Sequence, residues 1–141
     1  MEVVLIYPNQ LFSDHPALSR KRKILLIEDP LFFKDDQYPI SFHKKKILIH
    51  YLSMDYYKEY LNANGYDTSL VSFQELSGRK YTSKIFNKFR ISTAHIAHVV
   101  DFTLKKRILN ASKFYKVNII WYDSPGFLLN QTEVTHEFSN K

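Results

Sequence analysis

The sequence contains no cysteine among its 141 residues. Disulfide bonds, thiolate zinc sites and cysteine-ligated iron–sulfur clusters are therefore excluded within this segment. A chain without cysteine suits a reducing compartment, and we expect a cytoplasmic protein. Glycine is also scarce, with only three residues. The loop after the first apolar run contains none, which argues against a dinucleotide-binding fingerprint and against a P-loop.

Long hydrophobic runs are absent as well. No apolar stretch approaches the roughly 20 residues that a membrane-spanning helix needs, and we expect no association with a membrane. The chain passes from Met1-Glu2 directly into the apolar residues 3–6, without a basic leader or a small-residue cleavage site. This start predicts a first strand and not a signal peptide.

The usual signatures of catalysis and metal binding are missing too. No Gly-x-Ser-x-Gly elbow positions a nucleophile, and adjacent carboxylates such as Asp35-Asp36 lie in a loop that nothing holds in place. The six histidines do not have the spacing of zinc ligands: His43 and His50 are seven residues apart, and His95 and His98 point to opposite faces of a predicted strand. We predict no metal site and no catalytic residues in this segment.

Short apolar runs, typical of strands buried on both faces, occur five times. They lie at residues 3–7, 23–28, 67–73, 94–100 and 117–122. We interpret the sequence as strands alternating with helices five times, which predicts a doubly wound five-stranded parallel sheet. Residues 1–141 would then form one Rossmann-like α/β domain, a three-layer sandwich with helices on both faces of the sheet.

Three helices have distinct predicted features. One begins near Phe42 and ends at Asn64-Gly65, where glycine suits the left-handed position after a helix. Its apolar face is Ile47, Tyr51, Met54 and Leu61. A short helix is predicted over residues 82–89. A further helix carries Leu104, Ile108, Ala111 and Tyr115 on one face, with Thr103 as its N-cap. The connection over residues 30–41 is predicted to lack secondary structure, a length often associated with function.

Polar side chains cluster where the predicted strands end. In open parallel sheets, ligands bind outside the carboxyl ends of the strands, where amides and carboxylates orient a polar ligand. The side chains at these positions are Pro8, Asn9, Gln10 and Leu11, then Glu28 and Asp29, then Asp101, and finally Asp123. The alternative is that these residues cap helices and close turns.

Two other features carry alternatives of the same kind. Lys44, Lys45 and Lys46 could attract an anion to the start of a helix, or could form a solvated face. Aromatic residues crowd into the connection after Asp29, where they could stack on a flat chromophore or form a small satellite core. These aromatic residues are Phe32, Phe33, Tyr38 and Phe42.

Several segments together carry a family resemblance. They are residues 7–12 (YPNQLF), residues 27–30 (IEDP), residues 42–47 (FHKKKI) continuing to Ser53-Met54 and Tyr57, and residues 125–128 (PGFL). They resemble the prokaryotic cryptochrome and deoxyribodipyrimidine photolyase-related proteins. The resemblance implies the N-terminal α/β domain of a longer protein, which binds an antenna chromophore in support of light-driven DNA repair or photoreception. That chromophore would be a ribityl-lumazine or a folate.

The same resemblance assigns the remaining cofactors to another domain of the parent protein. FAD, the iron–sulfur cluster and the catalytic lyase function would belong to a C-terminal helical domain that this sequence does not contain, and DNA would be contacted through the full-length parent. The implied chromophore pocket is lined by Pro8, Asn9, Gln10 and Leu11, closed by Glu28 and Asp29, and completed by His43, Lys44 and Ile47. Lumazine binders have Gly-Asp where Pro8-Asn9 stands, and a Glu-Pro pattern where Asp101-Phe102-Thr103 stands.

The formal charge of +6 supports a different hypothesis. A basic α/β module without a chromophore could associate with nucleic acid through phosphate contacts. The predicted contacts are Lys21, Arg22, Lys23, Lys44, Lys45, Lys105, Lys106 and Arg107. A small nucleotide-using enzyme is a third possibility, but the glycine loop and the base–nucleophile pair that it would need are missing.

Overall fold

The computed structural model describes residues 1–12, 14–33, 44–72, 75–76, 80–99 and 101–123. For Phe33 and for residues 44–47 it describes the backbone alone. The predictions that fall on residues 34–43, including His43, and on residues 124–128 therefore lie outside the described residues.

One all-parallel sheet forms the centre of the molecule. Its strands are β1 (Glu2–Ile6), β2 (Lys23–Ile27), β3 (Thr68–Val71), β4 (Thr93–Ala97) and β5 (Asn118–Tyr122). They are arranged in the order β3-β2-β1-β4-β5, so the strand order reverses at β1 and β4, the topological switch point. The predicted doubly wound five-stranded α/β fold is confirmed.

Strand β1 is buried from Val3 to Ile6 between its two neighbours. Val4 pairs with Ile24 of β2 and with His95 of β4. Val3 and Leu5 point to one face of the sheet, and Val4 and Ile6 point to the other. Because both faces are covered, the strand must be apolar at every position from 3 to 6, which explains the uninterrupted run in the sequence.

Helices lie on both faces of this sheet. They are α1 (Pro30–Phe33), α2 (Lys44–Ala63), α3 (Tyr81–Lys88) and α4 (Phe102–Tyr115). Helices α1, α3 and α4 pack on the face that carries Val3 and Leu5, while Met54 and Leu61 of α2 cover the opposite face. Gly65 follows α2 with a φ of 86°, as predicted for a left-handed position. None of the described helices combines the length and the apolar character needed to cross a membrane.

The first crossover differs from the prediction. Between β1 and β2 the described residues form neither helix nor strand, so the interpretation of five strand–helix alternations was wrong for this connection. Ala17 is buried there, and Leu11 and Leu18 pack partly on the face that α2 covers. The described part of this connection is therefore irregular, and it buries apolar side chains against the sheet as a helix would.

Two helix starts also differ from the prediction. Residues 30–33 form α1 within the connection that was predicted to lack secondary structure, because Asp29 caps this short helix and Pro30 suits its first position. Helix α4 begins at Phe102 with Asp101 as its N-cap, so the prediction of Thr103 was wrong. The Asp101 carboxylate accepts a hydrogen bond from the Leu104 amide at 3.0 Å.

Candidate functional site

A groove of about 580 Å³ lies beside α2, a volume within the range of small-molecule sites, which is roughly 300–1,000 Å³. The segment that follows β1 contributes one wall and the helix contributes the other. Its lining is apolar and aromatic, with one serine: Leu11, Leu52, Ser53, Tyr56, Tyr57 and Tyr60. Such walls can stack on a planar ring, and their hydroxyl groups can orient its polar edge.

Tyr57 ties the two walls of the groove together. Its hydroxyl donates a hydrogen bond of 2.6 Å to the Phe12 carbonyl, which holds the segment after β1 against α2. Burial raises the pKa of Tyr57, so the hydroxyl remains a neutral donor at physiological pH. The Tyr57 ring stacks on that of Tyr60 at 6.2 Å between centroids. Leu52 and Tyr56 form the outer rim, where both are largely exposed.

The predicted residues after β1 have separate roles. Gln10 is buried, and its side-chain amide donates to the Ala97 carbonyl at 2.9 Å and accepts from the Tyr7 amide at 3.4 Å. Gln10 therefore connects the end of β1 to the end of β4 across the switch point. Pro8 is buried and Asn9 is exposed. Of the four predicted residues in this segment, Leu11 lines the groove.

Glu28 is buried at the end of β2. Desolvation raises the pKa of Tyr51 on α2, and the nearby Glu28 carboxylate raises it further. Glu28 thus lies within electrostatic reach of the helix that forms the groove. Lys44 and Ile47 belong to the first turn of the same helix.

Asp29 and Asp101 are not among the residues that line the groove. The Asp29 carboxylate is fully buried and accepts hydrogen bonds from the Tyr81 hydroxyl at 2.6 Å and from the Leu31 amide at 3.0 Å. Arg107 donates to the Tyr81 hydroxyl at 3.0 Å and places its guanidinium over the Tyr81 ring. This network belongs to the layer of α3 and α4, across the sheet from the groove. Asp101 is exposed at the start of α4. The assignment of Asp29 and Asp101 to a ligand stays a prediction.

Five groove residues were not predicted as site residues. They are Leu52, Ser53, Tyr56, Tyr57 and Tyr60. The sequence held a signal for them, because residues 52, 56 and 60 form a second stripe at four-residue spacing beside the core stripe of α2. Ser53 and Tyr57 also belong to the segments that carry the family resemblance.

A second polar cluster was also missed. His95 is hydrogen bonded through Nε2 to the Glu2 carboxylate at 3.0 Å and through Nδ1 to the Tyr122 hydroxyl at 2.8 Å. The hydrogen bond with His95 lowers the pKa of Glu2. Glu2 and His95 are 93 residues apart in the sequence, so no local pattern connects them.

Three of the predicted phosphate contacts have partners within the chain. Arg22 lies 3.6 Å from Glu2, Lys23 lies 3.3 Å from Asp67, and Arg107 contacts Tyr81. Each of these three cations is therefore engaged within the chain. Lys21 and Lys106 are exposed, and the nucleic-acid hypothesis stays a prediction.

Comparisons with known proteins agree with the family resemblance. The family model described as deoxyribodipyrimidine photo-lyase-related protein matches residues 4–141. An uncharacterized protein of Acanthamoeba polyphaga mimivirus is 30% identical over 147 residues, which cover 99% of this chain and 72% of the viral protein. The family match begins within β1 and includes the other four strands, the helices and the groove residues. The chain belongs to the deoxyribodipyrimidine photolyase-related protein family.

Proposed function

We propose that this chain binds an antenna chromophore for a photolyase-related protein and has no catalytic activity of its own. The ligand is a ribityl-lumazine or a folate, bound in the groove between the segment after β1 and α2. The single observation that carries the proposal is this aromatic groove, because Ser53 and Tyr57 in its wall belong to a segment that resembles the family. The bound pigment would support light-driven DNA repair or photoreception by the parent protein.

The chemistry of the groove suits a flat heterocycle with a polar tail. The tyrosine rings offer faces for stacking, and Leu11 and Leu52 supply apolar contacts. The Ser53 and Tyr60 hydroxyl groups can hydrogen bond to the tail. FAD, the iron–sulfur cluster and the contacts with DNA belong, in this proposal, to a separate helical domain of the parent.

Ligand titration tests the proposal. The purified chain is titrated with ribityl-lumazine, folate and deazaflavin, while the absorption band and the fluorescence of each ligand are recorded. We expect ribityl-lumazine or folate to bind at one molecule per chain with a shifted absorption band, and deazaflavin serves as the comparison ligand. Ser53→Trp should weaken this binding at least tenfold, because the indole fills the groove. Ser83→Trp places the same residue on α3, across the sheet, and should bind like the wild type.

Two results would contradict the proposal: no binding of any of the three ligands, or equal loss in both serine variants. Ile47→Trp adds a positional test, since Ile47 was predicted to line the pocket from the first turn of α2. If Ile47→Trp abolishes binding while Ser53→Trp does not, the ligand lies at the start of α2 and the groove assignment is wrong.

A further inference from the structure

The side of α2 that points away from the sheet is apolar. Five large side chains along it expose between 38% and 74% of their surface: Leu48, Ile49, Leu52, Tyr56 and Tyr60. We call these five residues the outer face of α2. Single exposed apolar residues are common on protein surfaces, but a contiguous row of them marks a surface that another molecule covers.

A ligand in the groove accounts for only part of this surface. Leu52, Tyr56 and Tyr60 line the groove, but Leu48 and Ile49 do not. These two residues lie one turn before Leu52 and extend the apolar surface towards the start of the helix. A small molecule in the groove would therefore leave one end of the outer face in contact with water.

The outer face of α2 is large enough for a protein interface. Its five side chains expose roughly 500 Å², so contact between two copies would bury about 1,000 Å² in total. Specific interfaces begin at about this size, and those at the lower limit are usually transient. The area thus predicts a dimer that dissociates on dilution.

The charges of α2 favour a second copy as the partner. Residues 44–46 in the first turn are all lysine, whereas Asp55 and Glu59 belong to the second half of the helix. Lys58 lies about 120° around the helix from Leu52, away from the outer face. Cations at the start of a helix are disfavoured by its dipole. In an antiparallel pair of helices, the basic end of each copy lies beside the acidic half of the other, where the charges attract.

The spacing of these residues is symmetric about Leu52. Lys45, Leu48, Leu52, Tyr56 and Glu59 follow one another at intervals of three, four, four and three, which keeps them on one side of the helix. A two-fold axis at Leu52 places Leu48 beside Tyr56 of the second copy, and Lys45 beside its Glu59. Each contact then occurs twice, as in an isologous interface. A parallel pair would instead bring lysines beside lysines.

We infer that the outer face of α2 binds a second copy of this chain in an antiparallel, two-fold symmetric dimer. The inference goes beyond chromophore binding and does not rest on it, because every contact comes from the chain itself. Leu52 and Tyr56 also form the outer rim of the groove. The second copy would therefore cover the rim of each groove.

Sedimentation equilibrium of the full chain without added ligand tests the dimer. We expect the average molar mass to rise from that of one chain towards that of two as the concentration increases. Leu52→Glu should raise the dissociation constant roughly a hundredfold, because it brings two carboxylates together on the axis. Phe102→Glu makes the same kind of change at an exposed position of α4 and should associate like the wild type. A monomeric wild type, or equal effects of the two variants, would overturn the inference.

Charge exchange tests the antiparallel arrangement. Lys45→Glu and Glu59→Lys each place like charges side by side, and each should weaken self-association about tenfold. An equimolar mixture of the two single variants should recover the affinity of the wild type, since the mixed dimer again contains two pairs of opposite charge. Circular dichroism checks that each variant keeps its fold. Failure to recover on mixing would contradict the proposed dimer.

A lipid surface is the alternative partner for an apolar helix face. Vesicles of phosphatidylcholine and phosphatidylserine are sedimented together with the chain, and we expect the chain to stay in the supernatant. If the wild type is monomeric and sediments with the vesicles, while Leu52→Glu does not, the outer face binds lipid and the inference is wrong.

Discussion

His15 lies in surroundings that disfavour its charged form. It is 4% exposed, its Nδ1 atom accepts a hydrogen bond from the Ala17 amide at 3.2 Å, and its ring stacks on Phe12. The Nε2 atom has no partner among the described residues. Burial lowers the pKa of His15 from 6.5 to about 4. The neutral ring is thus part of the folded state.

We expect the free energy of unfolding to fall as the pH is lowered from 6.5 towards 4. In that interval the unfolded chain binds a proton at His15 that the folded chain does not, and the loss amounts to at most about 3 kcal/mol. Urea unfolding at a series of pH values measures it. His15→Asn keeps an acceptor for Ala17 and cannot be protonated, so its stability should vary less with pH. His98→Asn, at an exposed position, should keep the wild-type profile; identical profiles for both variants would refute the expectation.

Residue types at the strand ends were predictable from the sequence, but their orientations were not. Gln10 is committed to Ala97, which is 87 residues away, and Asp29 to Tyr81, which is 52 residues away. Such partners are brought together only by the fold. The sequence therefore does not distinguish a polar residue at a strand end that faces a ligand from one that bonds to another part of the chain. The groove itself is lined mostly by leucine and tyrosine side chains, among them Leu11 and the tyrosines of α2. A search for polar residues at strand ends does not find such side chains.

The strands could be predicted to within two residues at nearly every boundary, because each contains a short apolar run. Helix α1 escaped prediction, since four residues are too few to show a helical period. The first crossover was misjudged because a parallel connection usually contains a helix. Here the irregular segment buries Ala17 and His15 and leaves space beside α2, which is where the groove lies.

The start of α4 allows a direct comparison of two candidate caps. Asp101→Ala removes the acceptor for the Leu104 amide and should lower the free energy of unfolding by about 1 kcal/mol. Thr103→Ala lies inside the helix and should change stability by less than about 0.5 kcal/mol. Thermal and urea unfolding measure both. A larger effect at Thr103 than at Asp101 would place the cap where the sequence alone suggested.

For the whole molecule, the protection of backbone amides against hydrogen exchange should decrease from the centre of the sheet to its edges. Strand β1 is hydrogen bonded on both sides, and Val3 to Ile6 have no exposed surface. Strand β5 is an edge strand, and most of its residues are partly exposed. Opening the edge disrupts fewer buried contacts than opening the centre.

Hydrogen exchange followed by NMR should therefore find the slowest amides in β1 and faster ones in β5, with β3 at the opposite edge also less protected than β1. The peptide amides within each strand serve as internal references. Equal protection of β1 and β5 would show that the sheet opens only as one unit.

The central place of β1 has a consequence for how the protein is made. Leu5 pairs with Ile96, so the strand emerges from the ribosome about 90 residues before one of its two neighbours. At translation rates of 5–20 residues per second, this delay lasts roughly 5 to 20 s. Throughout it, the nascent chain carries an unpaired apolar edge in a crowded cell. We expect newly synthesised chains to depend on chaperones during this interval, although the finished domain does not.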